Sequence, residues 1–293
     1  MRTLTRALLI LPLALLAPLA RAEDRFFDSA GVRLRYVERG EGDAVVLIHG
    51  FSRDLELNWV STGILEALSA RHRVLALDCR GHGRSERPAA GSVYGAEMVE
   101  DVARLLDHAG VGSAHVVGFS MGGRIAFKLA VTHPERVRSV VLLGIGSLDP
   151  SDDHGVVDRL ALALERERTM RPLVEHIWPS DRPRPTAQEL AGVDAGCFAR
   201  NDPLVLAAVA RGFRGFDADE RQRAKLRAPV LAIVGDDDPF RAEVERLDAR
   251  VPAVEVEVLR GAAHTNLLRR EELVEGIAAF WRTREILAQR ANP

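Results

Sequence analysis

Ser120 stands where two sequence patterns meet. The apolar run that includes Val116 and Val117 stops at Gly118, and a helical pattern begins directly after the serine, in Gly118-Phe119-Ser120-Met121-Gly122-Gly123. A turn that sharp brings strand and helix close together, so small residues are needed two before and two after its centre. The strained backbone leaves the central hydroxyl exposed as a nucleophile. A glycine-rich turn with an incidental serine is the plainer alternative, but the buried strand before it and the helix after it favour a nucleophile elbow. A serine hydroxyl is weak at neutral pH and needs a base. Of the nine histidines, His264 is best placed: it follows the last strand-like run and opens the loop before the final helix. A base in turn needs a carboxylate to fix its tautomer. The segment Gly235-Asp236-Asp237-Asp238-Pro239 offers three, and Asp149 lies after an earlier strand.

These residues must be carried by a scaffold. With 293 residues and 47% hydrophobic content, the chain can bury a sizeable core. The segment around Ala30-Gly31 reads as a hairpin. Ala44 to Gly50 is a continuous apolar run, the signature of a strand buried on both faces. Strand-like runs then alternate with helical ones through Arg73 to Gly83 (strand, then glycine-rich loop), Ala96 to Gly110, Ala114 to Ser120, Met121 to Pro134 and Val137 to Gly144. Such alternation means right-handed crossovers and a mostly parallel sheet of about eight strands flanked by helices. Asn58 to His72 also has helical spacing. The rhythm breaks from residue 147 to about 225, where helical segments rich in Leu and Arg alternate with proline-rich joints such as Trp178-Pro179-Ser180-Asp181-Arg182-Pro183. It resumes with Ala228 to Phe240, Arg241 to Arg250, Ala253 to His264 and a last helix near Glu271 to Gln289. This organisation predicts core segments 23–146 and 226–293 around a helical cap, 147–225.

Residues 1–22 stand outside that scheme. Arg2 and Arg6 precede an apolar run from Ala7 to Ala20, and Ala20 and Ala22 supply the small residues of a cleavage site. This is the pattern of a secretory signal peptide, and it predicts a periplasmic or secreted protein with no stable membrane anchor after cleavage. Pro12, Pro18 and the shortness of the run argue against an uncleaved span. The net charge of −2 and the lack of a Lys/Arg cluster argue against a nucleic-acid partner. An exported chain meets oxidising conditions, so the two cysteines, Cys79 and Cys197, could bridge core and cap, or remain separate thiols. No HExxH, no Cys/His cluster and no dinucleotide fingerprint is present, so neither a metal nor another cofactor is expected.

Taken in order, His49-Gly50-Phe51, the stretch Asp78 to Pro88, Gly118 to Gly123, Gly235 to Pro239 and Gly261 to Leu268 closely resemble the α/β-hydrolase family, in its serine branch with a helical cap. The resemblance covers essentially the whole chain after residue 22. It implies Ser120 as nucleophile, His264 as base and, by the family's spacing after the strand-ending glycine, Asp238 as the acid. Asp149 is the runner-up, because some relatives draw the acid from that position. Asp236 and Asp237 become loop residues. The resemblance also implies an oxyanion hole from the backbone N–H groups of Phe51 and Met121, with His49 and His82 in structural loops and Arg80 paired locally. Trp59 reads as a core aromatic, while Trp178, Phe198 and Phe213 are candidates for the pocket wall. The expected activity is hydrolysis of a carboxylic ester or related small acyl compound through an acyl-enzyme. The same triad could serve lactone opening, carbon–carbon bond hydrolysis, perhydrolysis or acyl transfer, and a non-catalytic ligand-binding protein is the alternative from another class. Serine at the elbow argues against dehalogenase and epoxide hydrolase chemistry, which uses aspartate there.

Overall fold

The computed structural model describes residues 23–89, 93–146, 148–150, 155–251 and 254–291, so the leader expected at 1–22 lies outside the described residues. Eight strands form one sheet: β1 (Asp24–Ser29), β2 (Val32–Arg39), β3 (Ala44–Ile48), β4 (Arg73–Leu77), β5 (Ala114–Phe119), β6 (Val137–Leu143), β7 (Val230–Gly235) and β8 (Val254–Leu259). Their order is β1-β2-β4-β3-β5-β6-β7-β8. β1 and β2 form an antiparallel hairpin, and β2 runs antiparallel to β4; every other pairing is parallel. The hairpin turn places Ala30 and Gly31 at positive φ, the geometry that follows the right-handed strand twist.

Because successive side chains point to opposite faces, the continuous apolar strands feed two cores. Val46 and Ile48 of β3 pack with Val99, Val102 and Leu106 of α2 (Ala96–His108) and Phe127 of α3 (Met121–Thr132). Before these comes α1 (Ile64–Ser69). Its Leu65 and Leu68 join Val45 and Leu47 on the other face, along with Ile277, Phe280 and Trp281 of the C-terminal helix. The helical run expected over Asn58 to His72 is broken. Glu56–Val60 forms one wide turn that ends at Ser61, and Gly63 at φ 78° precedes α1 as its N-cap. Trp59 is a core residue, fully buried.

Between β6 and β7 the described residues hold no strand. They form α4 (Gly155–Arg166), α5 (Arg171–His176), α6 (Ala187–Phe198), α7 (Pro203–Arg211) and α8 (Glu220–Arg223). Local chemistry starts two of these helices: Thr186 and Glu189 make a reciprocal capping box on α6, and Asp202 accepts from the N–H groups of Leu204 and Val205 ahead of Pro203. The chain closes with α9 (Arg241–Arg250) and α10 (Glu271–Ala291). No helix among the described residues is long and apolar enough to cross a membrane.

Candidate active site

In a parallel sheet the loops at the carboxyl ends of the strands gather at one edge. Here that edge receives His49 after β3, Asp78 after β4, Ser120 after β5, Gly144 after β6, Asp238 after β7 and His264 after β8. Ser120 has φ 52° and ψ −113°, an unfavourable conformation for a residue with a Cβ. Holding it costs on the order of 1–3 kcal/mol. The cost is met by the fit around it: the Ser120 N–H donates to Leu143 O at 2.8 Å, and Ser120 O accepts from Gly123 and Arg124. The reason for the glycine spacing is direct. A Cβ on Gly118 would lie 2.2 Å from Gly122 O, and one on Gly122 would lie 2.0 Å from Ile48 O. Strand, helix and β3 meet closer than any side chain permits.

His264 and Asp238 meet from neighbouring strand ends. His264 Nδ1 lies 2.9 Å from Asp238 Oδ2, and both side chains are buried. Asp238 Oδ1 accepts from the Phe240 N–H at 3.0 Å. The carboxylate can only accept, so Nδ1 carries a proton, and in the neutral ring the lone pair is then on Nε2. The imidazole is stacked on Phe119 (ring centroids 5.0 Å apart) and met edge-on by Phe240 (5.2 Å). Gly144 passes beneath the pair, where a Cβ would lie 3.1 Å from both Asp238 Oδ2 and His264 Nδ1. The other acids are occupied differently. Asp149 is in a salt bridge with Arg223 at 3.1 Å. Asp236 is exposed. Asp237 does more than cap its loop, because its side chain accepts from the N–H and hydroxyl of Ser180 in the helical insertion.

The loop after β3 is pinned beside the elbow. Gly50 N–H donates to Asn58 Oδ1 at 2.9 Å, Arg53 N–H donates to Gly50 O, and Ser52 takes φ 57°. His49 accepts the Cys79 N–H on Nε2 at 3.0 Å, so its Nδ1 donates to Gly50 O at 2.8 Å. The loop after β4 is held by Asp78, which accepts from Arg35, Leu55 N–H and Arg84 N–H. Arg80 pairs with Asp101 of α2 at 2.6 Å. Met121 is the first residue of α3, where N–H groups have no intrahelical acceptor.

Phe51, Ser120, Met121 and His264 line one cavity of about 270 Å³. Phe213 lines it as well, and its ring meets Phe51 at 5.6 Å. Trp178 does not; it faces a separate groove, and Phe198 packs against the main core. The sequence reading missed several wall residues, among them His176 and Arg124. His176, at the end of α5, is packed 5.1 Å from Phe240, and burial lowers its pKa. Arg124, one helical turn beyond Ser120, is buried and pairs with Asp217 at 2.5 Å. The i, i+4 spacing from Ser120 was the available signal for Arg124. Among the described residues the ionisable lining consists of Arg53, Arg124, His176, His264 and Arg269, with no Asp or Glu. Cys79 and Cys197 are both free thiols, so no bridge joins core and insertion. That junction is held instead by Arg200 on Asp54 and Asn201 on Ser52 O. No group of three or more His, Cys, Asp or Glu residues among those described could hold a metal.

The buried histidines make stability depend on pH. Burial pushes the His82 pKa down to about 3 and that of His115 to about 4, and lowers that of His49. In the unfolded chain each titrates near about 6.5, so below that pH the unfolded state binds more protons and folding loses free energy. The melting temperature is expected to hold above about pH 6.5 and to fall steadily towards pH 5, above the range where paired carboxylates contribute. Thermal melts across that interval check this; a flat profile would overturn it.

Residues 43–168 match the family model for the alpha/beta hydrolase fold. The chain is 30% identical over 276 residues to the pimeloyl-(acyl-carrier protein) methyl ester esterase of Aeromonas hydrophila, across 83% of this chain and 98% of that protein. The chain belongs to the alpha/beta hydrolase fold family. This hydrolase is also 34% identical over 258 residues to a dihydrolipoyllysine-residue acetyltransferase component of an acetoin cleaving system from Cupriavidus necator, across 86% of this chain and 67% of that one. Among solved structures it resembles the enol-lactonase of Burkholderia xenovorans, with a TM-score of 0.73 at 24% identity over 88% of this chain and 100% of that one. At that identity the likeness speaks for the fold alone.

Proposed function

We propose that this hydrolase is an exported serine enzyme that cleaves small carboxylic esters through Ser120, His264 and Asp238. The observation that carries the proposal is the 2.9 Å contact between His264 Nδ1 and Asp238 Oδ2, at the wall of the cavity that Ser120 enters from a strained elbow. In this reading Ser120 Oγ attacks the ester carbonyl and its proton passes to His264 Nε2. Asp238 stabilises the imidazolium that results. The negative charge on the carbonyl oxygen is met by the N–H groups of Phe51 and Met121. Collapse breaks the bond to the alcohol, which takes the proton from His264 as it leaves. Water then repeats the sequence on the acyl-enzyme, releasing the acid and restoring Ser120. The insertion between β6 and β7 acts as a cap over the cavity. The leader pattern of residues 1–22 supports export, and the esterase named among the relatives supports an ester substrate.

An active-site-directed fluorophosphonate tests the assignment. We expect one adduct per chain, located by peptide mass spectrometry on Ser120, with loss of ester hydrolysis in step with labelling. A folded protein that stays unlabelled would overturn the serine reading and favour a ligand-binding role.

A further inference from the structure

Beside the catalytic cavity the helical insertion holds a second concavity of about 540 Å³. Arg159 of α4, Arg171 of α5, and Arg182 and Arg184 of the proline-rich segment line it, and Glu175 is the one acid among the described residues that line it. All four arginines are exposed, and among the described residues none of them forms a salt bridge. Some exposed arginines elsewhere do find a carboxylate: Arg25 has Glu38, Arg211 has Glu165, Arg214 has Asp158 and Arg241 has Glu245. Like charges gathered in one concavity repel and gain nothing from folding. The local structure nevertheless fixes them there. Trp178 Nε1–H donates to Pro183 O at 2.8 Å, closing the segment on itself, and the Ser180 N–H donates to Asp237 at 3.1 Å, tying it to the core. Pro179, Pro183 and Pro185 remove further backbone freedom.

The groove adjoins the catalytic cavity: Val156 and His176 line both. His176 adds no charge at neutral pH, since burial favours its neutral form. Four cations against one acid call for a ligand with two or more negative charges close together, which a single carboxylate does not supply. Phosphate does, and guanidinium groups meet its oxygens in paired hydrogen bonds.

We propose that the groove lined by Arg159, Arg171, Arg182 and Arg184 binds the phosphate-bearing half of an acyl substrate whose carbonyl reaches Ser120 past Val156 and His176. This rests on the acyl-hydrolase reading above and narrows its substrate class. The phosphate could belong to a soluble carrier or to a phospholipid headgroup.

The test compares the full-length protein with its Arg171→Ala/Arg182→Ala variant; both positions are exposed, and circular dichroism checks folding. Three substrates are used: p-nitrophenyl butyrate, butyryl-coenzyme A and phosphatidylglycerol vesicles. Inorganic pyrophosphate is titrated separately, read by calorimetry and by Trp178 fluorescence. We expect the wild type to hydrolyse one phosphate-bearing substrate, the thioester assigning a soluble carrier and the vesicles a lipid. The variant should raise KM for that substrate by about tenfold or more, as losing charge-assisted contacts implies. It should weaken pyrophosphate binding by a similar factor and leave kcat/KM for the neutral ester within about twofold. Wild-type pyrophosphate binding should also fall as salt rises from about 50 to 500 mM. Equal KM and equal pyrophosphate binding in the two proteins would overturn the groove. If no ester is cleaved but pyrophosphate still binds through these arginines, the groove stands and the hydrolase chemistry falls.

Discussion

Ser120→Ala protein is expected to fold normally and to lose ester hydrolysis by roughly three to six orders of magnitude. Both halves of that expectation follow from the elbow. The conformation at residue 120 is set by the close approach of Gly118, Gly122 and Ile48, not by the hydroxyl. Alanine keeps the Cβ and meets the same strain at φ 52°, and the backbone hydrogen bonds of residue 120 to Leu143, Gly123 and Arg124 are untouched. Stability should therefore change little. The chemistry has no substitute nucleophile: His264 would have no hydroxyl to deprotonate, and only substrate binding and oxyanion contacts would remain. Steady-state turnover of a short activated ester, with circular dichroism as a folding check, measures both halves. Near wild-type turnover by a folded Ser120→Ala protein would sink the mechanism.

The sequence was most informative where a backbone constraint dictated a residue type. The glycines at 118 and 122 announced the elbow because contacts of 2.0 to 2.2 Å leave no room for anything else. The buried strands were legible for a similar reason: β3, β5, β6 and β7 lie between two layers of helices, and their near-continuous apolar runs say so. Where the insertion meets the sheet, the sequence was silent. Nothing near Asp237 pointed to Ser180, and nothing near Asp54 pointed to Arg200, since these contacts depend on how the insertion lies on the sheet. The same reason hid His176, which looks like an ordinary helix-end histidine until α5 is placed over Phe240. The choice among Asp236, Asp237 and Asp238 came from family spacing. In the structure the turn after β7 leaves Asp236 exposed, turns Asp237 to the insertion and buries Asp238 against His264.

That geometry makes Asp238→Asn the second severe substitution. Asp238 uses its two oxygens on different donors: Oδ1 accepts from the Phe240 N–H at 3.0 Å and Oδ2 faces His264 Nδ1 at 2.9 Å. An asparagine in the same place must keep its carbonyl oxygen on the Phe240 N–H, because the alternative sets one N–H against another. Its amide then turns towards His264 Nδ1, which has to accept, so the ring's proton moves to Nε2. The nitrogen that should receive the Ser120 proton no longer has a free lone pair, and no carboxylate is left to stabilise an imidazolium. Loss of turnover by about three to four orders of magnitude is expected, approaching that of Ser120→Ala, with KM little changed. Asp236→Asn should be nearly silent. Asp237→Asn should keep kcat within about tenfold, since it disturbs only a contact to the insertion rather than the base. Asp149→Asn should weaken a salt bridge and leave the chemistry intact. Steady-state kinetics of the four variants on one activated ester separates these outcomes. A severe loss at Asp149 or Asp237, with Asp238→Asn active, would move the acid away from His264 and overturn the assignment.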